Sequence, residues 1–161
     1  MGISGCGKST LAAAVARIHA AALIEGDAHH SAANVQKMSS GVALTDADRA
    51  GWLDELAAEL RRHTSPIVLT CSALRRTYRD RLREASDGLR FVFLDIGREA
   101  AMARVVARAA THFFSASLVD SQIATLESPV GEPGVLCVDA TAPLAQLQDQ
   151  VTAWLAQQDM Q

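Results

Sequence analysis

The chain has 161 residues, which indicates one domain, and its formal net charge of −3 argues against a general nucleic-acid-binding surface. Hydrophobic residues make up 49%, enough for a core, yet no apolar run reaches the ~20 residues of a membrane span and no signal peptide precedes the first motif. Cys6, Cys71 and Cys137 are odd in number and lack metal-ligand spacing, so we expect reduced thiols in a cytoplasmic protein.

The first motif lies at the very start of the chain. Residues 2–9 read Gly-Ile-Ser-Gly-Cys-Gly-Lys-Ser and fit the phosphate-binding P-loop pattern G-x-x-x-x-G-K-[ST]. The glycines let backbone N–H groups approach a phosphate, and the N-terminus of the following helix favours an anion. Lys8 is predicted to contact the β- and γ-phosphates, and Ser9 to give its hydroxyl to Mg²⁺. The predicted nucleotide-binding residues are Gly2, Ser4, Gly5, Cys6, Gly7, Lys8, Ser9 and Thr10. The alternative is a glycine-rich turn with an incidental lysine.

The strand that normally precedes a P-loop has no counterpart in this sequence. Only Met1 stands before Gly2, so we expect the first strand of the fold to be absent from this chain. Either the start has been placed at an internal methionine or the protein is truncated, and the sequence leaves both explanations open.

Helix and strand signals alternate along the rest of the chain. Helices are predicted over residues 10–20, 32–38 and 143–157, and another begins at a Thr45–Asp48 capping box and carries the apolar stripe Leu53, Leu56, Ala57 and Leu60. Strands are predicted at residues 22–24, 67–71, 91–94 and 134–139, and the second is apolar enough to be buried on both faces. This alternation predicts βαβ units with a parallel sheet, and ligands at the carboxyl ends of the strands. Residues 109–117 are predicted to form a lid.

Seven further segments follow the P-loop in chain order: Glu25–Met38, Gly41–Leu53, Cys71–Leu74, Tyr78-Arg79, His112–Phe114, Ser121-Gln122 and Leu126–Pro129. Together they resemble the gluconokinases, a family of small P-loop kinases similar in fold to shikimate and adenylate kinases. The resemblance implies a single kinase domain over residues 1–161, with a three-layer α/β fold in which helices flank a central parallel sheet. It also implies ATP- and Mg²⁺-dependent phosphorylation of D-gluconate on its 6-hydroxyl, giving 6-phospho-D-gluconate and ADP, and a homodimeric state.

Asp27 follows the first predicted strand and is the candidate to accept or orient the proton of the attacking hydroxyl. The alternative is an aspartate that caps a helix. His30 and Asn34 are four residues apart, so they share a helix face and could donate to substrate hydroxyls. Adjacent histidines also suggest a metal, but no third ligand has suitable spacing.

Several arginines are candidates for anionic groups. Arg79 is the first choice for the gluconate carboxylate, because a guanidinium grips a carboxylate with two hydrogen bonds; the alternative is a solvated basic face. Arg49 is a second substrate candidate, with a surface ion pair to Asp46 or Asp48 as its alternative. Arg104 and Arg108 lie one turn apart before the lid and are expected to neutralise charge on the transferred phosphoryl group, unless they are ordinary helix surface.

His112 in the predicted lid and Gln122 after it complete the substrate candidates. Two other functions stay open. One is a related small-molecule kinase with a shikimate-like acceptor. The other is a truncated, inactive remnant that binds a nucleotide or a protein partner.

Overall fold

The computed structural model describes residues 1–108 and 117–158. Seven helices lie in these ranges: α1 (Lys8–Ile18), α2 (Ala32–Ser39), α3 (Asp46–Arg62), α4 (Arg76–Arg83), α5 (Arg98–Ala107), α6 (Leu118–Thr125) and α7 (Leu144–Gln158). The strands are β1 (Ala22–Glu25), β2 (Ile67–Thr70), β3 (Phe91–Asp95) and β4 (Val135–Asp139), and a short 3₁₀ helix spans Gly26–His29. None of the helices in these ranges is long and apolar enough to cross a membrane.

The strands are parallel, as the alternation of elements predicts, but they form two separate pairs. In one pair β1 lies beside β2, with Ala22 opposite Ile67. In the other, β3 lies beside β4, with Phe91 opposite Val135. Within the described ranges no ladder joins β2 to β3, and no strand precedes α1. The sheet layer therefore has two halves.

Helices cover both faces of this layer. On one face α1 contacts α7, and Leu11, Val15 and Val151 pack with buried residues of β3 and β4. On the other face α3 contacts α4, and their apolar side chains pack with Phe91 and partly buried residues of β2. The three-layer α/β architecture expected from the sequence is confirmed.

The start of α3 shows how local sequence determines an element. The Thr45 hydroxyl accepts a hydrogen bond from the Asp48 backbone N–H (3.2 Å), and the Asp48 carboxylate accepts one from the Thr45 N–H (2.9 Å). This reciprocal capping box satisfies N–H groups that lack intrahelical partners. The predicted apolar stripe of α3, from Leu53 to Leu60, is buried. Box and stripe together fix the start of the helix and the face that it buries.

The environment of β2 differs from the prediction. Ile67, Val68 and Leu69 are only half-buried, although their sequence is typical of a strand buried on both faces. The reason is a cavity of about 480 Å³ that separates β2 from β3. The apolar side chains are those of a central strand, but among the residues that the structure describes β2 pairs with a strand on one side only, which is β1.

Candidate active site

The P-loop packs closely against the helix that carries Arg104. Gly5 and Gly7 have φ values of +83° and +96°, in the left-handed region that favours glycine. A Cβ on Gly5 would lie 2.5 Å from the carbonyl oxygen of Ala101 in α5. Since α1 begins at Lys8, directly after Gly7, the loop leads into a helix N-terminus as the motif requires.

Lys8 and Ser9 project from the start of α1 toward polar partners. The Lys8 ammonium donates to the carbonyl oxygens of Gly2 (3.0 Å) and Ile3 (3.1 Å), inside the curve of the loop. The Ser9 hydroxyl donates to Glu25 Oε2 (2.9 Å) at the carboxyl end of β1. The same carboxylate oxygen accepts from the Thr70 hydroxyl at the end of β2 (2.7 Å). A hydroxyl and a carboxylate therefore lie side by side next to the loop.

Arg104 reaches the outer side of the P-loop from α5. Its Nη1 donates to the carbonyl oxygen of Gly5 (3.4 Å), and its Nη2 donates to that of Ala140 in the loop after β4 (3.0 Å). A fixed positive charge next to the phosphate-binding loop is suited to stabilise negative charge on a phosphoryl group. Arg108 lies just beyond α5 with an exposed side chain, next to the undescribed residues 109–116.

A second cavity, of about 40 Å³, lies beside the P-loop and brings together six of the sequence-predicted site residues. They are Ser4, Lys8, Asp27, His30, Arg49 and Gln122. The remaining lining residues include Met38, Leu44, Trp52, Ser72, Leu118 and Ser121. Because Lys8 belongs both to the P-loop and to this cavity, a molecule bound here would lie next to the phosphate-binding loop. We refer to this space as the acceptor cavity.

His30 is held on the wall of the acceptor cavity by Trp52. The two rings are stacked, with centroids 4.3 Å apart and an angle of 15° between their planes. The Nδ1 atom of His30 is buried and has no hydrogen-bond partner within the described residues. Burial lowers the pKa of His30 below its usual 6.5, so the ring is neutral at physiological pH. An unpartnered nitrogen in a polar cavity is suited to bind a ligand hydroxyl.

Trp52 was not predicted as a site residue, although it lies in the Gly41–Leu53 segment that carries the family resemblance. Its indole Nε1 donates to the carbonyl oxygen of Gly26 (2.7 Å), which ties α3 to the 3₁₀ helix bearing Asp27. Glu25 was not predicted either, although its position at the end of β1 could have indicated it. These positions alone did not reveal what the two side chains do, because their roles depend on contacts with other elements.

Asp27 lies in the 3₁₀ helix, and its side chain is exposed at the rim of the acceptor cavity. The structure assigns the helix-capping role to another residue, because Ser31 caps α2 by accepting from the Asn34 N–H (3.2 Å). The alternative interpretation of Asp27 as a helix cap is therefore wrong. Its carboxylate remains available for a ligand.

Arg49 is 8% exposed and lines the acceptor cavity. One guanidinium nitrogen donates to the carbonyl oxygen of Leu44 (2.6 Å), and the group lies 6.0 Å from the centre of the Tyr78 ring. Arg49 does not form the surface ion pair that was its alternative role. Asp48 pairs with Lys37 (2.6 Å) and Asp46 pairs with Arg75 (3.2 Å). Arg49 is thus a buried cation facing a cavity.

The structure contradicts the prediction that Arg79 binds the substrate carboxylate. Its side chain is fully buried, and its Nε donates to Glu132 Oε2 (3.0 Å) while Nη2 pairs with Glu132 Oε1. Nη1 donates to the carbonyl oxygen of Ala73 (2.9 Å). The guanidinium does grip a carboxylate with two hydrogen bonds, but that carboxylate belongs to the chain itself. Arg79 does not line the acceptor cavity.

Asn34 is also placed differently from its prediction. It is 5% exposed, and its Nδ2 donates to the backbone carbonyl oxygen of Asp48 (2.8 Å). The side chain joins α2 to the start of α3 and does not line the acceptor cavity. The expectation that His30 and Asn34 share a helix face was wrong, because α2 begins at Ala32, after His30.

Gln122 connects the acceptor cavity with the P-loop. Its Oε1 accepts a hydrogen bond from the backbone N–H of Ser4 (2.6 Å), so its NH₂ group is the half that can donate to a ligand. His112, the other predicted substrate contact beyond α5, lies outside the described residues.

Comparison with known proteins assigns the chain to a family. A family model described as an AAA domain matches residues 1–129. Thermoresistant gluconokinase of Escherichia coli (strain K12) is 40% identical over 148 residues, which are 89% of this chain and 84% of that protein. Gluconokinase of Gluconobacter oxydans (strain 621H) is 45% identical over 141 residues, 86% of this chain and 79% of its own. The crystal structure of a gluconokinase from Sinorhizobium meliloti 1021 superposes with a TM-score of 0.89 at 43% identity, covering 98% of this chain and 89% of that one.

Proposed function

The chain belongs to the gluconokinase family, and from this premise we propose that it transfers a phosphoryl group from ATP to the 6-hydroxyl of D-gluconate. The products are 6-phospho-D-gluconate and ADP. The observation that carries the proposal is the acceptor cavity, which shares Lys8 with the P-loop and collects an acid, a histidine, an arginine and an amide around one space.

The nucleotide phosphates bind to the P-loop. Residues 2–10 supply backbone N–H groups and the N-terminus of α1, and Lys8 moves from the carbonyl oxygens of the loop to the β- and γ-phosphates. Arg104 already contacts the loop and adds positive charge on the side of α5. Arg108, at the end of the same helix, supplies a second positive charge for the transferred phosphoryl group. The contact between Arg104 and Ala140 supports a position for the adenine near the loop that follows β4.

Mg²⁺ fits the donor groups at the end of β1. The Ser9 hydroxyl and the Glu25 carboxylate lie 2.9 Å apart, and hard oxygen donors of this kind suit a metal that otherwise binds phosphates and water. Mg²⁺ bound here would neutralise charge on the phosphates. The chain contributes Ser9 as the ligand and Glu25 as the group that orients the hydroxyl. Thr70 in turn holds Glu25.

Gluconate binds in the acceptor cavity. Arg49 is the residue that we propose for its carboxylate, in place of Arg79, because it is a buried cation that faces the cavity. His30 Nδ1 and the NH₂ group of Gln122 bind hydroxyls of the sugar acid. Asp27 orients the 6-hydroxyl and accepts its proton during attack on the γ-phosphoryl group. His112 remains in the proposal as a substrate contact.

Binding of gluconate requires the acceptor cavity to widen. Its volume of about 40 Å³ is far below the about 300–1,000 Å³ of typical ligand pockets. Met38, Leu44 and Leu118 form a small hydrophobic cluster of their own and also line this cavity. Since only three buried side chains would have to separate, we propose that this cluster opens for the substrate. The segment 109–117 acts as a lid that closes over it.

A coupled ADP-release assay tests the function. The purified chain is given MgATP with D-gluconate, with shikimate or with no acceptor. We expect turnover with gluconate alone, and its loss in Lys8→Ala and Asp27→Asn. Asp54→Asn is the matched control, because Asp54 is an exposed carboxylate of α3 outside the cavity.

Each other outcome would overturn the proposal in a different way. Turnover with shikimate but not gluconate would support the related kinase with another acceptor. A folded chain that turns over neither substrate would support the inactive remnant, and nucleotide binding measured by calorimetry would show what it retains.

We further propose a cytoplasmic location and a homodimeric state. Cys6, Cys71 and Cys137 are all free thiols, which fits a reducing compartment. The homodimer rests on the family resemblance, and light scattering coupled to size-exclusion chromatography tests it directly. A monomeric mass at assay concentration would remove it from the proposal.

A further inference from the structure

One turn of the chain carries two of the groups proposed for the acceptor side of the reaction. The 3₁₀ helix Gly26–His29 holds Asp27, and His30 follows it directly, with its backbone N–H donating to the Asp27 carbonyl oxygen (3.4 Å). Both Asp27 and His30 line the acceptor cavity. We refer to residues 26–30 as the acceptor turn. The distance between the proton acceptor and the hydroxyl-binding ring therefore depends on how firmly this turn is held.

The side chain of Asp27 is not what holds its carboxylate in place. Asp27 is exposed, and its carboxylate makes no hydrogen bond to a residue within 1–108 and 117–158. The backbone therefore sets its position, most directly through the peptide group that joins Gly26 to Asp27. Because a peptide group is planar, a contact that fixes the Gly26 carbonyl oxygen also fixes the plane in which the Asp27 Cα lies.

Trp52 holds both ends of the acceptor turn. At the start of the turn, its indole Nε1 donates to the Gly26 carbonyl oxygen (2.7 Å), while the Gly26 N–H donates to the Thr70 hydroxyl (3.1 Å). At the end of the turn, the same indole stacks on the His30 ring, with centroids 4.3 Å apart. Trp52 is itself 3% exposed and packs among buried residues of α3 and α4. One rigid side chain thus joins the turn to the core at two points.

Each of these contacts alone would be ordinary for a buried tryptophan, since a buried indole N–H usually finds an acceptor. Their combination is specific to the site. The acceptor atom belongs to the peptide group that precedes Asp27, and the stacked ring is that of His30 in the same turn. Trp52 also lines the acceptor cavity together with both residues.

We infer that Trp52 is a positioning residue for phosphoryl transfer, which fixes Asp27 relative to His30 and so places the 6-hydroxyl of gluconate against its proton acceptor. This inference rests on the proposed function, because it concerns the same site. The two contacts have separate consequences. The hydrogen bond to Gly26 acts on Asp27 and therefore on kcat, whereas the stack acts on His30 and therefore on the KM for gluconate.

The substitution Trp52→Phe separates the two contacts. A phenyl ring still stacks on His30, but it has no N–H to donate to Gly26. We expect kcat to fall about tenfold, because a small misplacement of reacting groups is costly, while the KM for gluconate stays within about twofold of the parent value. Trp52→Leu removes both contacts, so its KM should rise about tenfold as well. Adding His30→Ala to Trp52→Leu should raise the KM no further, since the two residues act as one unit.

Leu60→Ala is the matched control for loss of stability. Leu60 is 4% exposed, lies about two turns beyond Trp52 in α3 and does not line the acceptor cavity. Truncation of a buried leucine destabilises the fold, so this variant should lose at least as much in Tm as Trp52→Phe. At a temperature at which all variants are folded, it should keep the parent kcat and the parent KM for gluconate.

The ¹H–¹³C NMR signals of the histidine rings give a readout that does not require turnover. A stacked indole shields the protons of the ring that it covers, so the His30 signals, assigned with His30→Ala, should lie upfield in the parent chain. Trp52→Leu should return them toward the positions of exposed histidines. Signals that do not move in Trp52→Leu would overturn the inference, because the stack would then be absent in solution.

The kinetic results can overturn the inference in two ways. One is a parent-like kcat in Trp52→Phe, and the other is an equal fall of kcat in Leu60→Ala, which would mean that stability alone explains the loss. A parent chain without turnover of gluconate is a separate outcome, because it removes the proposed function and this inference with it.

Discussion

The buried pair between Arg79 and Glu132 allows a decisive test of whether Arg79 stabilises the fold or binds the substrate. The substitution Glu132→Gln keeps the shape of the side chain and removes its charge. Arg79 would then remain fully buried, with hydrogen bonds to the carbonyl oxygens of Ala73 and Leu74 but no counterion. Arg83, which also pairs with Glu132, would keep Asp80 as a partner.

The expected loss of stability is large. Removing one partner of a buried ion pair costs about 3–5 kcal/mol, because the remaining charge stays buried without compensation. For a domain of this size that corresponds to a fall in Tm of about 10–15 °C. The measurement is urea unfolding followed by circular dichroism, together with the KM for gluconate at a temperature at which both proteins are folded. We expect the KM to stay within about twofold of the parent value.

Asp54→Asn is the control, because it removes the ion pair of Arg81, which lies two residues after Arg79 on the same helix but is partly exposed. Exposed pairs contribute about 0–1 kcal/mol, so this variant should unfold close to the parent chain. The reasoning would be refuted if Glu132→Gln unfolded like the parent, or if its KM for gluconate rose tenfold at unchanged stability. The first result would mean that the ion pair does not stabilise the fold, and the second that the guanidinium acts on the substrate.

Three further predictions follow from single contacts. Gly26→Ala should lower the free energy of unfolding by about 1–3 kcal/mol, because the new Cβ would meet the Thr70 carbonyl oxygen at 2.1 Å. Gly51→Ala should raise the free energy of unfolding by about 0.5–1 kcal/mol, because Gly51 lies within α3 with open space around it. Urea unfolding of the two variants separates the effect of crowding from that of helix propensity. His30→Ala should raise the KM for gluconate about tenfold. Because burial lowers the pKa of His30 below its ordinary 6.5, the parent KM should be the same at pH 7.5 and pH 8; a difference in that range that His30→Ala abolishes would contradict this. Burial lowers the pKa of the Met1 amino group in the folded chain to about 6, from its ordinary value of 8.0. Between pH 6 and 8 the unfolded chain therefore binds more protons than the folded chain, so Tm should increase over this range. Acetylation of the amino group should abolish the increase.

Much of the fold could be predicted from the sequence because it depends on local signals. The Thr45–Asp48 box starts α3 at the predicted position, and the apolar runs at residues 91–94 and 134–139 form β3 and β4. The helices α4 and α6 were not predicted; in α4, four of the 8 residues are arginines, which suggested a solvated basic face. The half-buried state of β2 was not predicted either, because it depends on what lies beside the strand.

The candidate site was predictable where a residue follows a strand or belongs to a motif. Lys8 and Asp27 are of this kind, and both line the acceptor cavity. Arg79 was misassigned because five arginines lie close together in sequence, and the partner that buries one of them, Glu132, is 53 residues away. Long-range pairing of this kind leaves no local pattern, so spacing alone could not distinguish Arg79 from an arginine that faces the cavity.

The P-loop is the part of this site that joins the two halves of the sheet layer. On the side of β2, the Gly2 N–H of the loop donates to the carbonyl oxygen of Ser72. On the side of α5 and α6, the loop is hydrogen-bonded to the side chains of Arg104 and Gln122. Asp27 and Arg49 belong to the elements that follow β1, so the donor and acceptor groups are carried by different parts of the chain. A misplacement of about 1 Å between reacting groups can cost about a hundredfold in rate. We therefore expect catalysis to depend on how firmly the backbone bonds of Met1 and Gly2 hold β2 and β3 in alignment.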